Sequence, residues 1–261
     1  MKIRILGSGG SFGVPLIGNY FGKCDKRNRK NYRTRPSILI KINKINLLID
    51  SGPDIRIQLL NARCNHLDAV LYTHNHADHI HGINDLRAVS LIMKKKIQAW
   101  GSKNTLNYLN DNFEYIFKKL NKEKKGKYKK NDFYKPIMNL NTIKNTFYIK
   151  KIKINSFQHN HGNTDCTTYR INNFAYTTDI KKFYNNDIDK LKGIDKWIVG
   201  CLRMDEHPSH ASFYEILDYV KYLKPKKTYL THLTPWMDYD KLLSKCPRNI
   251  KPSYDGLEFI V

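Results

Sequence analysis

Four potential metal ligands fall within six positions of this chain, in the run Thr73-His74-Asn75-His76-Ala77-Asp78-His79. The run leaves the apolar stretch Ala69-Val70-Leu71-Tyr72, which reads as a buried strand. His74 and His76, two apart in an extended turn, can face one metal. Asp78 and His79 follow where a helix begins and can face a second. Imidazole with carboxylate is a borderline-hard donor set suited to Zn²⁺, Mn²⁺ or Fe, and two such ions together can activate a water. The segment is read as a metal site, so the fold must bring a strand end to a place where further ligands converge.

Length and composition allow this. At 261 residues the chain can bury the core of one large domain, and its 41% hydrophobic and 12% aromatic content is ordinary for an enzyme. No apolar run approaches a membrane span. The start, Met1-Lys2-Ile3-Arg4-Ile5-Leu6-Gly7, reads as a strand entering a glycine turn rather than a signal peptide. Five cysteines (Cys24, Cys64, Cys166, Cys201, Cys246) are an odd number with no C-x-x-C pair, which points to reduced thiols in a cytosolic protein. The formal net charge of +23 fits an anionic partner, but also the drift of a chain rich throughout in Lys, Asn, Ile and Tyr. Charge alone decides nothing.

Short apolar runs alternate with helical stretches, as in a mixed α/β domain. Strands are expected at 3–6, 38–42, 47–49, 69–72, 97–100, 147–157, 168–171, 174–177, 197–199, 228–230 and 257–261. Helices are expected at 54–62, 79–93, 103–117, 212–223 and 239–244. Phe213, Ile216, Leu217 and Val220 carry helical spacing, and Ser212 with Glu215 matches a capping box. Many short strands with few helices suggest two stacked sheets flanked by helices. Residues 118–130 (KKLNKEKKGKYKK) break the pattern: a solvated loop, or a basic lid for an anionic substrate. No repeat or domain boundary is evident.

The first cluster does not stand alone. His161 follows a long strand candidate, Asp179 ends Phe174-Ala175-Tyr176-Thr177-Thr178, and His232 ends Thr228-Tyr229-Leu230-Thr231. All lie at strand ends, where sheets present ligands from loops. A two-metal site needs about this set: several imidazoles, a terminal carboxylate and a carboxylate able to bridge. Asp50, after Leu47-Leu48-Ile49, is suited to hold the free N–H of a ligand histidine. His159 and Asp165, flanking His161, read as loop residues, with His159 a competing register for the ligand. His66 and His81 read as residues at or near the surface. Arg87, Arg203 and Lys181 are candidates to pair with phosphate oxygens, Arg203 foremost. Glycines 7, 9, 10 and 13 match neither a Walker loop nor a dinucleotide fingerprint, and read as a tight turn against the metal groove.

In this order, these residues resemble the metallo-β-lactamase fold superfamily over nearly the whole chain. Within it the resemblance is to the phosphodiesterases of the carbon–phosphorus lyase pathway, which open cyclic ribose phosphates. It is carried by Gly7-Ser8-Gly9-Gly10-Ser11-Phe12-Gly13-Val14-Pro15, Arg33-Thr34-Arg35-Pro36-Ser37, Asp50-Ser51-Gly52-Pro53-Asp54-Ile55-Arg56, His81-Gly82-Ile83-Asn84-Asp85-Leu86-Arg87, His207-Pro208-Ser209-His210 and Tyr254-Asp255-Gly256. The resemblance implies a single-domain, four-layer αββα sandwich over residues 1–261, with a binuclear site between the sheets. His74, His76 and His161 would hold one divalent ion, Asp78, His79 and His232 the other, and Asp179 would bridge. A hydroxide shared by the ions, its pKa lowered toward ~7, would attack phosphorus. Asp78 would also orient that nucleophile. His210, with His207 as competitor, would protonate the leaving oxygen. The implied substrate is a small, cyclic phosphodiester, and relatives are commonly dimers.

One departure matters. Where relatives often hold a separate structural zinc with three cysteines, this chain has Asn19, Phe21 and Cys24, and Pro235 replaces an expected histidine. One thiol cannot make a tetrahedral zinc site. No outer zinc is expected, with Phe21 and its neighbours packing the loop instead. The competing function is an RNA-processing nuclease akin to the tRNA 3′-processing endonucleases. The net charge favours it, but no glycine-rich arm for gripping tRNA is present. A metal-binding module without turnover is the third reading.

Overall fold

The computed structural model describes residues 1–118 and 135–261. In chain order the first part forms β1 (Lys2–Gly7), β2 (Ser37–Ile42), β3 (Ile45–Ile49), α1 (Ile55–Asn61), β4 (Ala69–Leu71) and α2 (Ala77–Ile80). It continues through α3 (Leu86–Met93), β5 (Ile97–Gly101), α4 (Lys103–Asn112), α5 (Glu114–Phe117) and β6 (Met138–Thr142). The second part forms β7 (Thr146–Ile149), β8 (Ile152–His161), β9 (Thr164–Ile171), β10 (Phe174–Thr177), β11 (Lys182–Phe183) and β12 (Lys196–Gly200). It ends with α6 (Phe213–Leu223), β13 (Lys227–Thr231), α7 (Tyr239–Lys245), β14 (Ile250–Pro252) and β15 (Glu258–Ile260). Apart from Lys118, the lysine-rich stretch 118–130 lies outside the described residues.

The strands make two sheets. One is seven-stranded in the order β15-β1-β2-β3-β4-β5-β6; the other runs β11-β8-β9-β10-β12-β13-β14, with β7 also on β8. Alternation sorts the apolar side chains into layers. On β2, Ile38 and Ile40 point into the space between the sheets, while Leu39 points outward. On β12, Ile198 points in, and Trp197 and Val199 point out. Between the sheets Ile3, Ile5, Leu47 and Leu71 meet Phe147, Tyr169, Tyr176 and Tyr229. The outer face of the first sheet is covered by Ile55 and Leu59 of α1, Leu86 and Val89 of α3, and Leu106 and Leu109 of α4. The outer face of the second is covered by Phe213, Ile216 and Val220 of α6 and Leu242 of α7. Strands buried on both faces need helices on the outside, so the four-layer αββα sandwich follows from the apolar pattern itself. A one-residue slip in any of these strands would exchange its inward and outward sets, so register is firmly specified.

Parallel pairing aims the site. β3 pairs parallel with β4, and β10, β12 and β13 are parallel to one another, so the carboxyl ends of each group share one edge. β8 is antiparallel to β9, which is antiparallel to β10, and so β8 ends at that edge too.

Several expected elements are divided or shifted. The strand expected at 147–157 is the hairpin β7–β8, turned at Lys150 (φ +53°). The buried apolar positions change phase there, from Phe147 and Ile149 to Ile152 and Ile154 across the pair Lys150-Lys151. The helix expected at 79–93 is split into α2, a 3₁₀ turn at Ile83–Asp85 and α3. Gly82 sits at the break, where a Cβ would lie 2.0 Å from the Gly52 carbonyl oxygen. The helix expected at 103–117 breaks at Phe113 (φ −129°, ψ 41°). β6, β11 and β14 were not expected: they are short, lie at or near sheet edges, and carry little apolar alternation. The capping box on α6 is present, Ser212 Oγ accepting from the Glu215 N–H and Glu215 Oε2 from the Ser212 N–H.

Candidate metal centre

The donors converge at the shared edge. From the turn after β4, His74 Nε2 lies 3.5 Å from Asp179 Oδ2 and His79 Nε2 lies 3.3 Å from the same oxygen. His161, at the end of β8, brings Nε2 to 3.6 Å from Asp179 Oδ2 and 3.2 Å from His76 Nδ1. His232, just after β13, brings Nε2 to 3.2 Å from Asp179 Oδ1 and 3.3 Å from Asp78 Oδ2. Two sets result, His74–His76–His161–Asp179 and Asp78–His79–Asp179–His232, with the ligand atoms of each within 4.8 Å of one another. Asp179 belongs to both. All seven sequence-derived ligand candidates are gathered here; His76 alone is exposed.

The chemistry of these donors fits divalent cations. The Nε2 atoms of His74 and His79 are buried yet form no hydrogen bond, although carboxylate oxygens stand nearby. An unpaired buried polar atom costs about 1–3 kcal/mol, so such atoms call for a partner. Burial, reinforced by His79, holds the His74 ring well below its ordinary pKa; burial also lowers His76 and His161. These three rings are therefore neutral near pH 7, the state that offers a lone pair to a metal. Asp179 is buried, which would raise its pKa, but His232 and His79 outweigh this and hold it well below the usual range. Asp78 is lowered likewise, against its burial, chiefly by His79 and His232.

Supporting contacts orient the rings. Asp50 Oδ2 lies 2.7 Å from His79 Nδ1, and the Asp50 carboxylate also accepts from the Thr73 N–H and Oγ1 at 2.8 Å each. His161 Nδ1 lies 2.8 Å from the Ser209 carbonyl oxygen, which turns Nε2 to the site. Asp50 (φ +63°), Asp179 (φ +48°) and His232 (φ +60°) all take left-handed backbone conformations at strand ends. Such strain costs of order 1–3 kcal/mol per residue and clusters at functional sites. Converting Asp50 to Asn is expected to weaken divalent-metal affinity about 10–100-fold by removing the charge that fixes His79. Competition against a chelating dye measures it; an unchanged Kd would show that His79 is oriented without Asp50.

Gly52 is a second structural requirement. A Cβ there would lie 2.0 Å from the Asp78 carbonyl oxygen, with no flexible side chain to yield. Gly52→Ala is expected to cost about 1–3 kcal/mol, lowering Tm by roughly 2–12 °C, because backbone beside a ligand must move. Metal affinity should fall with it. Calorimetry with and without added metal would show an unchanged melting curve if the turn could absorb the methyl group.

His210 stands over the site. Its Nε2 is 3.8 Å from Asp179 Oδ2, and its ring centroid is 4.6 Å from that of His161 and 5.2 Å from that of His232. His207 lies behind it, Nδ1 to Nδ1 at 3.2 Å, with Ser209 Oγ within reach of both. Of the two, His210 is the one facing the donor cluster.

Other candidates resolve differently. His159 is no loop residue: it lies in β8, fully buried, with Nε2 2.9 Å from the Thr178 carbonyl oxygen and Nδ1 3.0 Å from Thr168 Oγ1. Burial pushes its pKa down to about 4. Asp165 likewise lies in β9, where its Oδ1 accepts from Tyr184 OH at 2.5 Å. Lys181 is paired with Glu215 at 2.9 Å, and the Arg203 guanidinium donates to the carbonyls of Asp205 and Glu206 in its own loop. Arg87 lies on α3, in a groove with Lys94, Lys95 and Lys96. His66 is near Asp68, and His81 packs edge-on to Phe113. The glycine turn after β1 does lie against the centre, with Gly10 N–H donating to the Leu233 carbonyl and Leu233 N–H to that of Ser8. In the outer loop Phe21 packs edge-on against Tyr32, Lys23 N–H donates to the Pro235 carbonyl, and Cys24 Sγ faces Arg33 Nη1 at 3.9 Å. Thr73, Ser209 and Cys166 (Sγ 3.6 Å from His74 Nδ1) are neighbours the sequence did not reveal. Nothing in their spacing marks them.

An αββα sandwich with this His/Asp cluster at its edge defines a metal-binding hydrolase of metallo-β-lactamase type. The chain belongs to the beta-lactamase superfamily, whose domain model matches residues 45–233. It is similar to the crystal structure of a diphosphatase from the PhnP family, with 28% identity and a TM-score of 0.87 over 100% of this chain and 97% of that one. It shares the fold of human short-form tRNase Z, with 14% identity and a TM-score of 0.71 over 100% and 99% of the two chains. An octanoyltransferase of Porphyromonas gingivalis (strain ATCC BAA-308 / W83) is 31% identical over 267 residues, covering all of this chain. This chain spans about half (52%) of that relative's length.

Proposed function

We propose that this protein is a divalent-metal-dependent phosphodiesterase that hydrolyses a small, cyclic phosphodiester. The observation that carries the reading is Asp179, a single buried carboxylate shared by two converging donor sets, with the His210 ring beside it. His74, His76 and His161 would hold one ion and Asp78, His79 and His232 the other, with Asp179 reaching both. Zn²⁺, Mn²⁺ and Fe²⁺ all suit these donors. Bound there, the ions would supply Lewis-acid charge to the phosphoryl oxygens and make a water acidic enough to act as nucleophile near neutral pH. Asp78, held ionised by His79 and His232, would orient a water there by accepting its hydrogen bond. His210 offers Nε2, a buried atom with no hydrogen-bond partner, as the proton donor to the departing alkoxide. His207 and Ser209 hold its other nitrogen in place. The similarity to a PhnP-family diphosphatase supports phosphorus chemistry at this site.

No outer zinc, a cytosolic location and a homodimer complete the proposal. No helix among the described residues is long and apolar enough to cross a membrane. Acyl transfer through a thioester needs an accessible thiolate, yet burial raises the pKa of all five thiols, that of Cys246 to about 11. A tRNA-processing nuclease is the second reading, favoured by the net charge of +23. Product analysis on metal-loaded protein separates the two, using a ribose 1,2-cyclic phosphate, a diphosphate ester and a 3′-extended tRNA precursor. Ring opening with the precursor intact is the expected result. Cleavage of the precursor alone would move the protein to the nuclease branch.

A further inference from the structure

The short helix α3 is apolar on two faces. Leu86 and Val89 pack into the layer over the first sheet, while Leu91 and Ile92 stand outward, 77% and 62% exposed. A helix that is apolar all round calls for cover on every side. Beside the outward pair runs a groove of about 900 Å³ that carries Arg87, Lys94, Lys95, Lys96 and Lys135. Among the described residues no aspartate or glutamate lines it, and Lys94, Lys95 and Lys96 form no ion pair. Topology sets this groove away from the metal centre. Lys96 precedes β5 and Ile137 precedes β6, and β4, β5 and β6 are parallel. The groove therefore lies at the amino ends of these strands, whereas the donors leave the carboxyl end of β4.

Three kinds of partner could cover such a face, and chemistry separates them. A second copy docked through the same patch would set Lys94, Lys95 and Lys96 against their own counterparts, and like charges facing each other are penalised. A single-stranded nucleic acid calls for aromatic side chains on which its bases stack, and none lines the groove among the described residues. An acidic bilayer suits both features at once. Exposed aliphatic side chains enter the boundary between headgroups and acyl chains, and neighbouring lysines meet the anionic headgroups. Lysine stems lie along apolar surface while the ammonium groups stay in water. We propose that the outward face of α3, with the basic groove beside it, docks this protein on an acidic phospholipid surface. The metal centre, at the opposite edge of the sheets, then faces away from the lipid.

Flotation of the metal-loaded full chain with phosphatidylcholine vesicles, with and without about 30% phosphatidylserine, tests this. The protein is expected on the acidic vesicles and not on the neutral ones, and its affinity should fall as salt rises. Combining Lys94→Ala, Lys95→Ala and Lys96→Ala should weaken binding about 100-fold, at about fivefold per lysine. Leu91→Gln with Ile92→Gln should weaken it by about tenfold or more, because the aliphatic contact is lost. Both side chains are exposed, so this second variant should keep the parent's melting curve. Absence of binding, or equal binding to the two kinds of vesicle, would overturn the proposal. So would a Leu91→Gln/Ile92→Gln variant that binds acidic vesicles as the parent does. A single-stranded oligonucleotide held more tightly than the vesicles would make the face a nucleic-acid surface instead. Loss of a dimer in the same double variant would assign it to a second copy.

Discussion

Replacing Asp179 with alanine is expected to lower turnover by at least about 10³-fold, the equivalent of roughly 4 kcal/mol of barrier, and to remove at least one equivalent of bound metal. The size follows from its position. Its two oxygens lie 3.2–3.8 Å from ring nitrogens of His74, His79, His161, His210 and His232, so one side chain is common to both donor sets. Removing it leaves a ring of buried imidazoles with no shared anion. The Asp179→Asn variant separates charge from shape: it keeps the volume and should still lose most of the activity. Metal analysis of purified variants, paired with kcat on a phosphodiester, checks both. Full metal content with wild-type turnover in Asp179→Ala would sink the proposed site.

Replacing His210 with alanine is expected to act differently. Turnover should fall by about 10²–10⁴-fold, the usual contribution of a general acid, while metal content stays unchanged. The defect should also depend on the leaving group. An alkoxide needs a proton as it departs, whereas 4-nitrophenolate leaves readily without one, so the loss should shrink on nitrophenyl esters. A defect of equal size on both would make His210 a positioning group. Loss of metal would make it a ligand. His207→Ala should be milder, because that ring touches the Nδ1 side of His210 rather than the donor cluster.

Much of this site was legible from the chain alone. The spacing His74-x-His76-x-Asp78-His79 encodes its own geometry, because four donors within one turn cannot scatter. His161, Asp179 and His232 were readable as residues ending apolar runs, since a strand end is where a sheet releases a side chain into a loop. Asp50 was readable for the same reason, and it does hold His79. His159 shows the limit of that logic. It lies on the same strand as His161 and two residues away, and only burial against Thr168 and Thr178 makes it structural. Lys181 and Arg203 looked available for phosphate; an ion pair with Glu215 and hydrogen bonds within its own loop engage them instead.

The sequence by itself determined the layers, through alternation that faces Ile38 and Ile40 one way and Leu39 the other, and it determined the donor types. Tertiary structure decided what local pattern cannot carry. It broke the expected helix at Gly82 and turned the His161 ring toward the donor cluster. Both depend on atoms distant in sequence: the Gly52 carbonyl against Gly82 and the Ser209 carbonyl against His161. Periodicity reports which side of an element is buried, because burial acts on every residue of a face. It does not report which remote backbone atom will press on one glycine, and that contact is what fixed the turn holding Asp78 and His79.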